Sequence, residues 1–103
     1  MKQIMLKTDE SQTIRIAIGG RPYTFRFYPF RSLMYVDIMR YKEYLVAGKR
    51  IMAGEWLIPQ YMSNEDGNAR FEAWAPDRES YVWYEGFNTK FRFMIYGADE
   101  IEV

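Results

Sequence analysis

The stretch QTIRIAIGGRPYTFRFYP, residues 12–29, decides the fold because apolar side chains recur at every second position on both sides of a glycine pair. Such a period of two is typical of a strand with one face in the core. Between the two runs, Gly19 and Gly20 supply the positive φ angles of a tight turn, and Pro22 stands where the next strand begins. The sequence therefore predicts a β-hairpin. Its repeating apolar face consists of Ile14, Ile16, Ile18, Tyr23, Phe25 and Phe27.

The alternation continues outward along the chain. LMYVDIMRY, residues 33–41, predicts a third strand, although a helix over residues 31–44 is an alternative that its β-branched and aromatic content disfavours. Shorter strands are predicted in KQIML, ARFEAWA, YVWYEGF and KFRFMIY, and SNEDGN at 63–68 predicts a loop. We expect one all-β domain over residues 1–103, with residues 97–103 as a fraying tail. Six to eight short strands at hairpin spacing predict a small antiparallel β-barrel or sandwich.

Two further glycines interrupt YLVAGKRIMAGEW, residues 44–56. Gly48 falls inside a strand that begins at Leu45 and resumes at Ile51, which indicates a β-bulge, and Gly54 follows that strand as a turn. The spacing suits a sheet that curls. A phosphate-binding loop is the functional alternative, but GKRIMAG has neither the helix that should follow nor the GK[ST] ending.

The composition excludes most catalytic chemistry. The chain contains no cysteine and no histidine, which removes disulfides, thiol nucleophiles, most zinc sites and the usual proton shuttle at neutral pH. The carboxylates do not follow the spacing of a calcium loop. We expect a protein that is not an enzyme and that uses no cofactor or metal. The absence of any apolar run of about 20 residues also predicts a soluble chain without a membrane span or signal peptide.

Charge is balanced overall and uneven along the chain. Residues 1–50 hold ten basic and four acidic residues, and residues 51–103 hold four basic and ten acidic residues. Either the two halves interleave and neutralise each other locally, or the molecule has a positive and a negative face suited to docking between unlike neighbours. A net charge of zero argues against a nucleic-acid binder, because phosphate affinity needs surplus cations.

Nineteen aromatic residues are many for 103 positions, and they supply the candidate functional residues. Aromatic and arginine side chains are the typical anchors of protein interfaces. The interface candidates are Arg26, Arg31, Trp56 and Trp74. Two alternatives remain open at this stage: an OB-like or Sm-like barrel that stacks single-stranded nucleic acid on Tyr23, Phe25 and Phe27, and a carbohydrate site that uses the tryptophans.

The order of these features resembles the small baseplate plug proteins of contractile-tailed bacteriophages. The resemblance lies in KQIML, Gln12, the Gly20-Arg21-Pro22-Tyr23 turn, the strand around Asp37, and LVAGKRIMAGEWLIPQY with Gly48, Gly54 and Leu57. It implies a compact β-structure in the virion tail baseplate, made in the host cytoplasm and present in multiple copies. The implied partners are other tail proteins of the hub, tube or wedge, and the family implies no catalytic residues.

Overall fold

The computed structural model describes residues 1–59, 66–73 and 82–100. Strands dominate these ranges, and two short 3-10 helices span Tyr84–Gly86 and Ala98–Glu100. The strands of the described residues are β1 (Lys2–Ile4), β2 (Gln12–Ile18), β3 (Arg21–Phe30), β4 (Leu33–Arg40), β5 (Glu43–Arg50), β6 (Gly67–Ala73) and β7 (Phe91–Gly97).

The strands of this described part form two antiparallel sheets that face each other as a sandwich. One sheet is the meander β2-β3-β4-β5, and the other has the order β1-β7-β6. Their inner faces meet through aromatic rings: the centroids of Phe25 and Phe93 lie 5.4 Å apart, and those of Phe27 and Phe71 lie 5.5 Å apart. The all-β prediction is confirmed, and of its two forms the structure adopts the sandwich, since the sheets do not close into a barrel.

The predicted hairpin is confirmed in its register and in its faces. Ile16 pairs with Tyr23 and Ile14 pairs with Phe25, so the repeating apolar positions of both strands point the same way. Tyr23, Phe25 and Phe27 are almost completely buried. Gly19 and Gly20 form the two-residue turn with φ angles of +61° and +84°, the positive values that a tight hairpin turn requires.

The third predicted strand is also confirmed, and the helical alternative for residues 31–44 is wrong. β4 pairs along its whole length with β3, from Leu33 opposite Phe30 to Arg40 opposite Tyr23. Alternate residues of β4 enter the core. The connecting turn is made by Arg31 and Ser32, whose φ angles of +50° and +66° are positive although neither residue is glycine.

The segment around Gly48 follows the prediction only in part. β5 begins at Glu43, and its register against β4 shifts on both sides of Ile38. Gly48 lies in this irregular stretch with a φ of +66°. The strand does not resume at Ile51 as expected.

After β5 the chain crosses to the other sheet. The N–H of Ile51 still donates to the carbonyl of Met34 on β4 at 2.9 Å, whereas the N–H of Gly54 donates to the carbonyl of Phe71 on β6 at 2.7 Å. Gly54 makes this passage with a φ of +86°. Both Ile51 and Leu57 are buried. The chain therefore leaves the strand after Arg50 because its apolar residues become buried between the sheets.

The second half departs further from the predicted elements. β6 includes Gly67 and Asn68, which were expected in a loop, and Ser63–Glu65 of that loop lie outside the described residues. The predicted strand YVWYEGF is wrong within its described part, because Tyr84–Gly86 form a 3-10 helix. A side chain at Gly86 would come within 2.9 Å of the Phe91 ring, so this turn packs closely on β7.

The described part of the chain ends in a short helix after β7. Gly97 is the last residue of β7 and Ala98–Glu100 form the second 3-10 helix, while residues 101–103 lie outside the described part. Fraying of residues 97–103 stays a prediction. Across the described ranges, no helix has both the length and the apolar character needed to cross a bilayer.

Candidate functional site

An exposed group of rings lies on the outer face of the four-stranded sheet, at the end of the β3–β4 hairpin. Because side chains alternate along β3, Tyr28 and Phe30 point away from the core that Phe25 and Phe27 enter. Tyr35 is the cross-strand partner of Tyr28 and therefore shares its face. Phe30 is 56% exposed.

These rings contact one another and border a shallow depression. Tyr28 and Tyr35 stack with centroids 6.1 Å apart and an interplanar angle of 22°, and Phe30 meets Tyr35 edge-on at 6.1 Å. Gly48 of β5 completes the lining. A Cβ at Gly48 would lie 3.7 Å from the Tyr28 hydroxyl, so the absence of a side chain there keeps the depression open.

Arginines surround the rings. The guanidinium of Arg26 lies 5.1 Å from the Tyr28 ring centroid, and that of Arg31 lies 5.3 Å from the Phe30 centroid, both within the range of a cation–π interaction. Arg50 is the β5 residue paired with Tyr35. We name this group the aromatic–arginine corner; it consists of Arg26, Tyr28, Phe30, Arg31, Tyr35 and Arg50.

Asp37 fixes the corner from within the same sheet. Its carboxylate accepts hydrogen bonds from the Tyr28 hydroxyl at 3.0 Å and from the Gly48 N–H at 2.6 Å, and it lies 3.7 Å from Arg26. Burial raises the pKa of Tyr28, and the hydrogen bond to Asp37 raises it further because a carboxylate accepts only from the neutral hydroxyl. The Tyr28 ring is thereby held in one orientation across three strands.

The uneven charge of the sequence maps onto the four-stranded sheet. Residues 12–50, which contain β2 to β5, hold eight basic and two acidic residues, a net charge of +6. At the end remote from the corner, Arg21 and Arg40 pair with Asp66 of the second half at 3.3 and 3.8 Å. At that end, charges of the first half are therefore neutralised by a charge of the second half. At the corner, the carboxylate that Arg26 meets, Asp37, belongs to the same sheet.

Trp56 lies elsewhere, on the outer face of the three-stranded sheet. The guanidinium of Arg70 lies over both of two neighbouring rings, 4.5 Å from the Trp56 centroid and 5.0 Å from the Tyr96 centroid. The two rings also meet edge-on at 5.2 Å. Trp56 is half-buried by these contacts within the chain, so it is a less accessible contact residue than Phe30.

Glu72 anchors this second cluster. It pairs with Arg70 at 3.0 Å and with Arg92 at 3.6 Å, and it accepts a hydrogen bond from the Tyr96 hydroxyl. Burial opposes the charge of Glu72, but the hydrogen bonds from Tyr96 and Arg70 and the charges of both arginines outweigh it. The pKa of Glu72 is therefore below its usual value.

The structure separates the four predicted interface residues. Arg26 and Arg31 lie in the aromatic–arginine corner, Trp56 lies on the other sheet, and Trp74 is outside the described residues. Sequence reasoning missed Tyr28, Phe30 and Tyr35. A usable signal existed, because Tyr28 and Phe30 are aromatic residues out of phase with the core positions.

The stacking platform considered for nucleic acid does not exist as described. Tyr23, Phe25 and Phe27 fill the core and present no ring face to a base. No group of three or more carboxylates in the described ranges is close enough to hold a metal ion.

Comparison with known proteins gives a family match over almost the whole chain. The family model described as cyanophage baseplate Pam3 plug gp18 matches residues 1–99 of the 103-residue chain. A search of curated proteins finds no match.

Proposed function

The chain belongs to the cyanophage baseplate plug family, as the sequence resemblance indicated, and on that premise we propose that it is a structural part of a phage tail baseplate that packs against other tail proteins. Its site of action is then the baseplate of the virion. The role is mechanical and not catalytic, which agrees with a sequence that has neither histidine nor cysteine.

The observation that carries this proposal is the aromatic–arginine corner. A soluble domain that stands alone seldom presents stacked rings beside several arginines on a sheet face, whereas protein interfaces are enriched in these residue types. Phe30 and Arg26 are more than half exposed, at 56% and 61%. We therefore propose the corner as the surface that contacts the neighbouring tail protein.

The two other hypotheses lose described residues on which they depended. Binding of single-stranded nucleic acid was assigned to three rings that lie in the core. The carbohydrate hypothesis relied on Trp56 and Trp74: one face of Trp56 is covered by Arg70, and Trp74 lies outside the described residues. No observation favours either hypothesis over the baseplate proposal.

The proposal is tested by co-expressing the chain with the tail proteins encoded beside its gene and measuring the recovered complex by mass photometry and electron cryomicroscopy. Arg31→Glu reverses a charge at the tip of the β3–β4 hairpin, and we expect it to lower recovery about tenfold or more. Lys42→Glu makes the same reversal at the β4–β5 hairpin of the same sheet and is the matched control. We expect it to leave recovery within about twofold.

Two results would count against this proposal. If the native chain stays monomeric beside every co-expressed tail protein, the structural role is wrong. If both variants reduce recovery equally, the role stands and the corner is not the contact surface.

A further inference from the structure

We infer that the aromatic–arginine corner binds an acidic segment of a neighbouring polypeptide, seating one apolar side chain in the depression beside Gly48 and carboxylates against Arg26 and Arg31. This inference rests on the proposed function and adds to it the chemistry of the partner.

The depression accepts an apolar group. Three of its four lining residues are the aromatic residues Tyr28, Phe30 and Tyr35, and the fourth is a glycine. The hydroxyl of Tyr28 is already directed to Asp37, so the lining presents mainly ring carbons to an incoming side chain. Covering exposed ring surface is favourable in proportion to the apolar area removed from water.

The arginines supply the polar part of the recognition. A guanidinium that lies over an aromatic ring uses its flat face, which leaves the N–H groups in its plane directed outward for a carboxylate. Arg31 has this arrangement on Phe30. Arg26 has it on Tyr28, and one of its terminal nitrogens also lies 3.7 Å from Asp37, which leaves its other N–H groups for a partner. Carboxylates of the partner would therefore lie around the rim of the same depression that holds its apolar group.

The backbone at the tip of the β3–β4 hairpin is strained. Arg31 and Ser32 both occupy the left-handed region, at φ angles of +50° and +66°. For residues other than glycine this conformation costs about 1–2 kcal/mol each. An Asn-Gly turn would avoid most of that cost. Tyr41 at the β4–β5 tip also occupies this region, at a φ of +58°, so the strain does not distinguish the corner from the control tip.

We assign the partner's carboxylates to another polypeptide, because the family's proteins are parts of a baseplate. The chain's own exposed carboxylates, such as Glu43 and Glu55, make self-association an outcome that the test must distinguish, whereas three others are already engaged within the chain. Asp66 pairs with Arg21 and Arg40. Glu72 pairs with Arg70 and Arg92, and Glu100 contacts the N-terminal amino group. Nucleic acid is disfavoured by the net charge of zero, because phosphate affinity needs surplus cations. Tyr28 and Tyr35 also stack on each other, so no base enters between them.

The test is an NMR titration of the ¹⁵N-labelled full chain with the capped pentapeptide Glu-Glu-Leu-Glu-Glu. We expect saturable shifts in the amides of Gly48 and of residues 28–35. The peptides Lys-Lys-Leu-Lys-Lys and Glu-Glu-Gly-Glu-Glu isolate the charge and the apolar group, and each should bind about tenfold more weakly or worse. Raising the salt concentration should weaken binding of the acidic peptide, because salt screens the attraction between its carboxylates and the exposed arginines.

Matched variants place the binding on the molecule. Phe30→Ser and Arg31→Glu should each lower the affinity for the acidic peptide about tenfold. Tyr41→Ser and Lys42→Glu are the controls, since they occupy the opposite hairpin tip of the same sheet, where Tyr41 is 66% exposed. These should bind like the native chain. All four positions are exposed, and a far-ultraviolet circular dichroism spectrum checks that each variant folds.

Several outcomes overturn the inference. These are the absence of shifts at the corner, equal affinity for the lysine peptide, and tighter binding of an oligothymidylate at the same amides. Self-association in sedimentation equilibrium that Arg31→Glu abolishes would also overturn it, because a second copy would then be the occupant. If the chain assembles with tail proteins but does not bind the acidic peptide, only this inference is wrong. If it binds the peptide but does not assemble with tail proteins, the baseplate role is wrong.

Discussion

The hydroxyl of Tyr23 donates a hydrogen bond of 2.6 Å to the carboxylate of Asp66, which joins the two sheets of the sandwich. Tyr23 belongs to β3 of the four-stranded sheet, and Asp66 directly precedes β6 of the three-stranded sheet. Asp66 is only 6% exposed and also meets Arg21 and Arg40. A buried carboxylate depends on keeping such partners, so this contact stabilises the end of the sandwich remote from the aromatic–arginine corner.

Removing the hydroxyl measures this contact directly. We expect Tyr23→Phe to lower the free energy of unfolding by about 2 kcal/mol, because a hydrogen bond to a charged, buried group is lost while the ring remains in the core. Urea denaturation followed by tryptophan fluorescence gives the value. Tyr44→Phe is the control at a residue that is 61% exposed, with an expected change within about 0.5 kcal/mol. Equal losses in the two variants would show that the contact does not stabilise the fold.

The same tyrosine predicts a loss of stability in alkali. Burial raises the pKa of Tyr23 above 10.0, and the hydrogen bond to Asp66 raises it further. Between the unfolded and folded pKa values the folded state keeps a proton that the unfolded state has lost, so this contribution is complete below pH 10 and disappears as pH rises through the folded pKa. Denaturation at stepped pH above about 9 should show a shallower decline for Tyr23→Phe than for the native chain. Parallel declines would contradict the assignment.

The lowered pKa of Glu72 predicts a loss of stability in acid, the opposite of the loss in alkali predicted for Tyr23. Its lowered pKa means that its contribution is complete above the unfolded value of about 4.5 and is lost as pH falls through the folded value. Glu72→Gln should therefore be less stable than the native chain at neutral pH and should lose less stability on acidification. Glu55→Gln, at an exposed position, is the matched control and should follow the native curve. The prediction is wrong if Glu72→Gln and Glu55→Gln give the same curve.

The sequence predicted those parts of the fold that depend on neighbours two residues apart. In β2 to β4 the alternation of apolar residues sets which face enters the core, and the glycine pair sets the turn. The path from Ile51 to Leu57 could not be predicted in this way. Its direction depends on burial against β6, a strand that begins ten residues after Leu57. The turn at Gly86 likewise depends on the Phe91 ring packed against it.

The sequence predicted the arginines of the candidate site but not its aromatic residues. Arg26 and Arg31 were visible as cations within an aromatic strand. The stack of Tyr28 on Tyr35 depends on the register of β3 with β4, which places the two residues opposite each other. Residue type alone does not give that register. The prediction therefore named the arginines and left out the surface on which they lie.

The turn between β2 and β3 allows a comparison of two adjacent glycines with different surroundings. Both have positive φ, so an alanine at either position is strained by about 1 kcal/mol or more. A Cβ at Gly20 meets nothing within 4 Å, whereas a Cβ at Gly19 would lie 2.5 Å from the Asp66 carbonyl oxygen. We expect Gly20→Ala to cost about 1 kcal/mol of unfolding free energy and Gly19→Ala about 3 kcal/mol, since the second change also pushes against the backbone that leads into β6. Urea denaturation of the two variants checks the difference. Equal costs would mean that the turn does not press on Asp66 and that the hairpin can shift away from the facing sheet.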